Sequence, residues 1–283
     1  MSGSGGDAFR RRSLSERIAA ALPASGGVAP VRRWLKPLFA KWLTPAGGGL
    51  QSILPHGEAV LVSPAFRHVT WNPDEYAAFR AAVRPGDIVL EAGANVGAYT
   101  MLFAQWVGPL GHVFAFEPDP HAYAGLQAHI ALNGVADRVS PIAAAVADGR
   151  EPRLRLAIGE SSGVSRIVRR ADRTAAATEV DAVSIDCFCR QRRIVPQVIK
   201  IDVEGVELAA LAGARATIAA AGPELQLFVE MHPHLWPELQ ITSADVIHEC
   251  ESQGLLAETI DGRRDTNVWA AEGICLRLRT VRA

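Results

Sequence analysis

Four carboxylates stand at the ends of apolar runs in this chain: Glu91 after IVL, Glu117 after VFAF, Asp202 after VIKI and Glu230 after LFV. Glu204 lies two positions beyond Asp202, and His232 two beyond Glu230. Carboxylates can hold hydroxyl groups, take up protons or ligate hard cations, and histidine titrates nearest neutrality. The stretch Glu91 to Thr100, EAGANVGAYT, adds Gly93, Asn95 and Gly97 directly behind the first of these acids. Glycines there let backbone amides and a helix N-terminus approach a ligand closely. Any one acid could be a strand or helix cap; four on one rim point to a ligand site with acid–base capacity.

Such a rim needs parallel strands whose carboxyl ends line up. The sequence predicts strands at 88–91, His112 to Pro118, Val139 to Ala143, Val198 to Asp202 and Leu225 to Glu230, with closing strands near Leu255 to Ile260 and Ile274 to Leu278. Helices are expected over Ala122 to Leu132, Gly205 to Ala221 and Ser243 to Gln253, and an edge or insertion pair near Arg153 to Ile158 and Val164 to Val168. Alternation of this kind implies an α/β fold with a mainly parallel, doubly wound sheet and ligands at the carboxyl ends of its strands. Ahead of it, Ile53 to Val62 reads as a hairpin and Pro73 to Val83 as a helix with Pro and acids in its first turn. The domain reading is therefore a partly helical extension over 1–50, a hairpin and helix lid over 51–86, and an α/β domain over 87–283.

Composition narrows the class. The 283 residues are 49% hydrophobic and 21% charged, enough for a sizeable core. A formal net charge of -1 argues against a general nucleic-acid binder. Cys187, Cys189, Cys250 and Cys275 form neither CxxC pairs nor a secreted disulfide pattern, so reduced thiols and a cytoplasmic location are expected. No run is apolar enough to span a bilayer, and a continuous signal-peptide core is lacking. The segment Val31 to Leu43 places Leu35, Leu38, Phe39 and Trp42 on one side and Arg32, Arg33, Lys36 and Lys41 as its charge. Its apolar face is expected to pack on the main domain or a dimer mate; peripheral contact with an anionic membrane is the alternative.

The glycine turn discriminates among nucleotides. A dinucleotide fingerprint needs Gly at the first, third and sixth places, which here hold Gly93, Asn95 and Ala98. What remains, ExGxNxG with an acid 26 positions after Glu91, suits a ligand with a ribose but no phosphates, such as S-adenosylmethionine. EAGANVGAYT, FAFEPDP, AAVADG (Ala144 to Gly149), VIKIDVEGVE (Val198 to Glu207) and LFVEMH (Leu227 to His232) together resemble the successive motifs of the FkbM family of S-adenosylmethionine-dependent methyltransferases. The likeness runs from about Val60 to His234 and does not include the first 50 residues. It implies the seven-stranded, Rossmann-like class I methyltransferase fold, with Glu91 standing where Asp is commoner.

By that resemblance, Glu91, Gly93, Ala94, Asn95 and Gly97 would line the methionine part, with Tyr99 and Thr100 below it. Glu117 would hold the ribose, Pro118 would flank the adenine, and Ala145, Val146 and Asp148 would meet its ring. Tyr99 packing in its helix, and Asp148 in a structural turn, are the alternatives. Methyl transfer is an in-line displacement, so the protein must align the acceptor and, for a hydroxyl, remove its proton. The chain lacks both an NPPY-like motif after the fourth strand and a Pro-Cys dipeptide, which favours oxygen over amino nitrogen or base carbon. Candidate bases are Asp202, Glu204 and His232. A metal-free arrangement is the preferred reading; the competing one has Asp202, Glu230 and His232 hold a divalent ion. Lys200 is expected to neutralise the acids, and Glu207 to stabilise the helix it begins.

Arg166, Arg169 and Arg170 could hold an anionic acceptor, Trp236 could wall an apolar or sugar acceptor or simply pack beneath a helix, and His234 is a weaker acceptor-site candidate. The overall expectation is O-methylation of a small-molecule or glycan hydroxyl, with a non-catalytic cofactor-binding scaffold as the rival and an NAD-dependent oxidoreductase disfavoured by Asn95.

Overall fold

In a computed structural model, residues 48–66, 69–159, 165–168, 177–262 and 274–280 are described. The basic segment Val31 to Leu43, Arg169, Arg170 and residues 160–164 lie outside them.

Short apolar runs become the strands of a seven-stranded sheet. β3 (Ile88–Ala92) sits in its interior, with β4 (His112–Phe116) and then β5 (Val139–Ile142) on one side. On the other side follow β10 (Val198–Ile201), β11 (Gln226–Met231), β13 (Ile274–Thr280) and β12 (Leu255–Thr259). β13 alone runs antiparallel to both of its neighbours. The chain leaves β3 toward β4 in one direction and returns later to β10 on its other flank, which opens a crevice at the carboxyl ends of β3, β4 and β10. Register brings Glu91 level with Lys200 and Ala115.

Both faces of the sheet are buried, as continuous apolar runs require. Val89, Val113, Val198 and Phe228 belong to one core, packed with α1 (Pro73–Ala82), α2 (Ala98–Val107) and α3 (Pro120–Asn133). Leu90, Phe114, Ile199 and Leu227 belong to the other, with α4 (Ile185–Arg192), α5 (Glu207–Ala212), α6 (Arg215–Ala221), the short α7 (Trp236–Leu239) and α8 (Ser243–Ser252). Phe79, Phe103 and Phe228 are all but fully buried and meet edge-on or tilted, each contributing about 1.5–3 kcal/mol by burial.

Three expectations gain detail. The hairpin β1 (Leu50–Ile53) and β2 (Ala59–Val62) and helix α1 are built into the first core, and none of their residues lines the cleft described below. Asn133 fastens the hairpin by exchanging hydrogen bonds with the Leu61 backbone, and His129 accepts from the Ser63 N–H. The helix expected from Gly205 to Ala221 is two helices. Gly213 caps the first of them and has to be glycine, because a Cβ there would stand 2.2 Å from the Ala147 carbonyl, and Asp186 caps α6 from outside by accepting from the Ala216 and Thr217 N–H groups. The pair β7 (Arg153–Ala157) and β8 (Arg166–Val168) belongs to a four-stranded sheet with the unanticipated β9 (Ala177–Val183) and with β6 (Ala145–Val146).

The four cysteines are free thiols, three of them buried. Among the described residues no helix is long and apolar enough to cross a membrane.

Candidate functional site

The crevice between β3, β4 and β10 holds a solvent-open cleft in two adjoining compartments. Gly93, Glu117, Ser165, Asp202 and Glu204 line both. The polar compartment adds Asn95, Asp119 and Ala122; the apolar one adds Pro118, Ala145, Val146, Leu156, Ile167, Val203 and Val206.

The turn after β3 is shaped by positive φ at Gly93 (81°), Asn95 (50°) and Gly97 (90°). Only glycine serves at 93, since a Cβ would lie 1.6 Å from the Asp202 carbonyl oxygen. That contact presses the turn against the end of β10. Glu117 follows β4 and fixes the turn's other side: its Oε2 accepts from the Asn95 N–H at 2.7 Å and its Oε1 from the Asp119 N–H at 2.8 Å. Burial pushes this carboxyl up to about 7 despite those two amides. Each oxygen has further accepting capacity, and Glu117 lines the cleft, so it offers the paired acceptors that the two hydroxyls of a vicinal diol need.

Beside it lies a charged cluster. Lys200 on β10 is buried and donates to Asp202 Oδ2 at 2.9 Å. Its burial opposes charge, yet Asp202, Glu91, Glu230 and Glu75 hold it above the ordinary lysine range. Glu204 and Glu230 are half-buried and each raised to about 7, burial being the main cause. Glu204 adopts φ of 47°, an uncommon conformation for a residue with a side chain. His232, 6% exposed, directs Nε2 at Glu204 (3.6 Å), Asp202 (3.8 Å) and Glu230 (3.9 Å). Burial pulls its ring down, but the hydrogen bond to Glu207 and the charges of Glu204, Glu207 and Asp202 outweigh that and carry it up to about 9.

Sequence reading understated Glu207. Fully buried, it accepts from His232 Nδ1, Trp236 Nε1 and the Gly205 N–H, each at 2.8 Å. It thereby aims the imidazole, a task that position at a helix start does not reveal. Trp236 is spent on this bond and 2% exposed, so it offers no stacking wall.

Several expected positions stand behind the cleft. Glu91 is 1% exposed, raised to about 7 by burial, and accepts from the Thr100 hydroxyl. Tyr99 packs edge-on against Phe79 and lies under Lys200, with its hydroxyl accepting from the Asn72 N–H. Ala94 and Gly97 shape the turn without lining the cleft, and Asp148 is outside it, paired with Arg150. Arg166 is likewise taken, by Glu238 at 3.0 Å, and His234 is exposed. Leu156 and Ile167 were not anticipated as wall; they reach the cleft from the four-stranded sheet, whose register only the fold supplies, and Ser165 joins them from the position before β8.

A seven-stranded sheet with one reversed strand, a glycine turn after β3 and a diol-competent carboxylate after β4 define an S-adenosylmethionine-dependent methyltransferase of the Rossmann-like class. The family described as "Methyltransferase FkbM domain" matches residues 91–254, more than half of the chain, and the chain belongs to that family. It is also similar to the 31-O-demethyl-FK506 methyltransferase FkbM of Streptomyces tacrolimicus, 46% identical over 61 residues that are 22% of this chain and 23% of the relative. The match thus spans under a quarter of that relative's length. Similar solved structures include an S-adenosylmethionine-dependent O-methyltransferase from Thermotoga maritima, 13% identical over 83% of this chain and 79% of that one with a TM-score of 0.47. Another is Aeropyrum pernix fibrillarin with natively bound S-adenosyl-L-methionine, 12% identical over 82% and 94% of the two chains with a TM-score of 0.42.

Proposed function

We propose that this protein transfers the methyl group of S-adenosylmethionine to a hydroxyl of a sugar, polysaccharide or natural product in a reducing cytoplasm. The observation that carries the reading is the shared wall: Glu117, Gly93, Asp202 and Glu204 line one cleft, so ribose holder and proton-handling acids face the same space. Glu117 would hold the ribose hydroxyls, the apolar compartment between Pro118, Val146, Leu156 and Ile167 would take the adenine, and the turn from Gly93 to Gly97 would admit the amino-acid tail. The bound sulfonium supplies an electrophilic methyl. This chain's residues then orient the acceptor oxygen and receive its proton. His232, held protonated at neutral pH, is a poor base; Glu204, balanced near neutrality and open to the cleft, is the better one. An oxygen acceptor is favoured by this carboxylate cluster and by the similarity to an enzyme whose name specifies an O-demethyl substrate.

Calorimetry with S-adenosylhomocysteine tests the reading. Binding is expected, and Glu117→Ala should weaken it about a hundredfold, the loss of two charge-assisted hydrogen bonds. Unchanged affinity in that variant would remove Glu117 from the ribose site. Binding without turnover on any glycan or polyketide hydroxyl would leave a non-catalytic scaffold as the better account.

A further inference from the structure

The polar atom that the cleft leaves least explained is Nε2 of His232. The ring is buried and its Nδ1 is committed to Glu207, so Nε2 is the free face, and it points among three carboxylates. None is within hydrogen-bonding range: 3.6, 3.8 and 3.9 Å all exceed the 2.7–3.2 Å such bonds require. One donor atom each from Asp202, Glu204 and His232 lies within 4.8 Å of the others. Donors that share one ion at about 2.0–2.2 Å stand about 3.0–3.5 Å apart, so the two carboxylates need to close on His232 by a few tenths of an ångström and on each other by up to about 1 Å, a side-chain rotation at half-buried residues.

The surroundings agree. Asp202 splits its two oxygens, Oδ2 going to Lys200 and Oδ1 facing His232, which leaves the second oxygen for a ligand. Among the described residues, the cations buried here are Lys200 and His232, set against Glu75, Glu91, Asp202, Glu204, Glu207 and Glu230. Glu207 bonded to the far nitrogen of the imidazole repeats the carboxylate-to-histidine support that metal-ligating histidines use.

We infer that Asp202, Glu204 and His232 bind a divalent first-row cation that takes the place of the Nε2 proton of His232, with Glu207 as the residue that positions the imidazole. This departs from the metal-free preference that sequence alone supports. A mixed set of one imidazole and two carboxylates selects Mn2+ or Zn2+ over Mg2+. The ion would leave coordination positions open on the cleft side, where an acceptor hydroxyl would bind and become more acidic. With the ion bound, Glu204 is a ligand and no longer the base proposed above; Glu230, not among the ligands, would then be the nearby carboxylate that receives the acceptor proton. The role in methyl transfer rests on the proposed function; the existence of the site does not.

Calorimetry and Mn2+ electron paramagnetic resonance on the full chain test it directly. One Mn2+ per chain is expected, held more tightly than Mg2+. Glu204→Gln and Asp202→Asn should each weaken binding at least tenfold, Glu207→Gln about tenfold, and the exposed Glu179→Gln not at all, with circular dichroism confirming that each variant is folded. Absence of Mn2+ and Zn2+ binding at millimolar concentration would overturn the site, as would binding that Glu204→Gln leaves intact. S-adenosylhomocysteine titrated into the same samples separates the failures. Cofactor binding without metal binding sinks only the cation site, and metal binding without cofactor binding sinks only the proposed function.

Discussion

At the scale of single residues, the site depends on side chains that never touch a ligand. Glu207 binds three donors, and its removal would strand the imidazole, the indole N–H and the Gly205 amide in the interior. Glu207→Ala is therefore expected to lower stability by about 2–4 kcal/mol, the range for buried groups left unpaired. The milder Glu207→Gln should lower kcat about tenfold while KM for S-adenosylmethionine holds, a split that steady-state kinetics resolves and a general loosening of the fold would not produce. Gly93→Ala combines a φ of 81° with a Cβ overlapping the Asp202 carbonyl. It should cost more than about 3 kcal/mol in a denaturant titration, or fail to fold. Glu91, Glu117, Asp202 and Glu230 were legible as a rim because each ends an apolar run. Which of them faces the cleft was not, because alternation along a strand does not say how the turn after it bends.

At the scale of elements, the hairpin, α3 and the glycine turn are pinned together by His129. Its Nε2 accepts from the Ser63 N–H at 2.9 Å, so the proton must sit on Nδ1, which donates to the Val96 carbonyl at 2.6 Å. A second proton would confront the Ser63 N–H, and burial in addition holds the ring below its ordinary range. The sign follows: just below the unfolded value of 6.5 the unfolded chain binds a proton that the folded chain refuses, so stability is full above that pH and falls as pH drops through the folded value. Urea unfolding at about pH 7.5 and about pH 5.5 should show wild type losing more stability over this interval than His129→Gln. Long elements with caps, such as α1 and α3, were readable from sequence. α4 was not, although Ser184 caps it and Ile185, Phe188 and Cys189 share a face, because two turns give too few repeats to establish a period. β9 escaped because its paired face is only half-buried, and its partners are set by tertiary contact.

For the whole molecule, the cleft joins parts of the chain that are far apart in sequence. The turn after β3, the loop after β10 and the four-stranded sheet each contribute wall, Ser165 reaching across to Asp119. A ligand there should couple them. S-adenosylhomocysteine at a hundredfold its Kd should add about 2.7 kcal/mol to stability. Hydrogen exchange should slow on β7, β8 and the turn from Gly93 to Gly97, and stay unchanged on the hairpin at β1 and β2, which the cleft does not reach. Uniform protection across all of these would argue against the described cleft as the binding place.

The burial of Lys200 has a practical side. The chain has three lysines, Lys36, Lys41 and Lys200, and only the last lies in the described residues. Its amine is both enclosed and held firmly in its unreactive ammonium form by Asp202 and the acids around it. An amine-reactive reagent can modify it only when β10 parts from its neighbours. The rate at which that lysine is labelled, followed by mass spectrometry of the peptide around it, is thus a built-in clock for how often the sheet beside the cleft comes open.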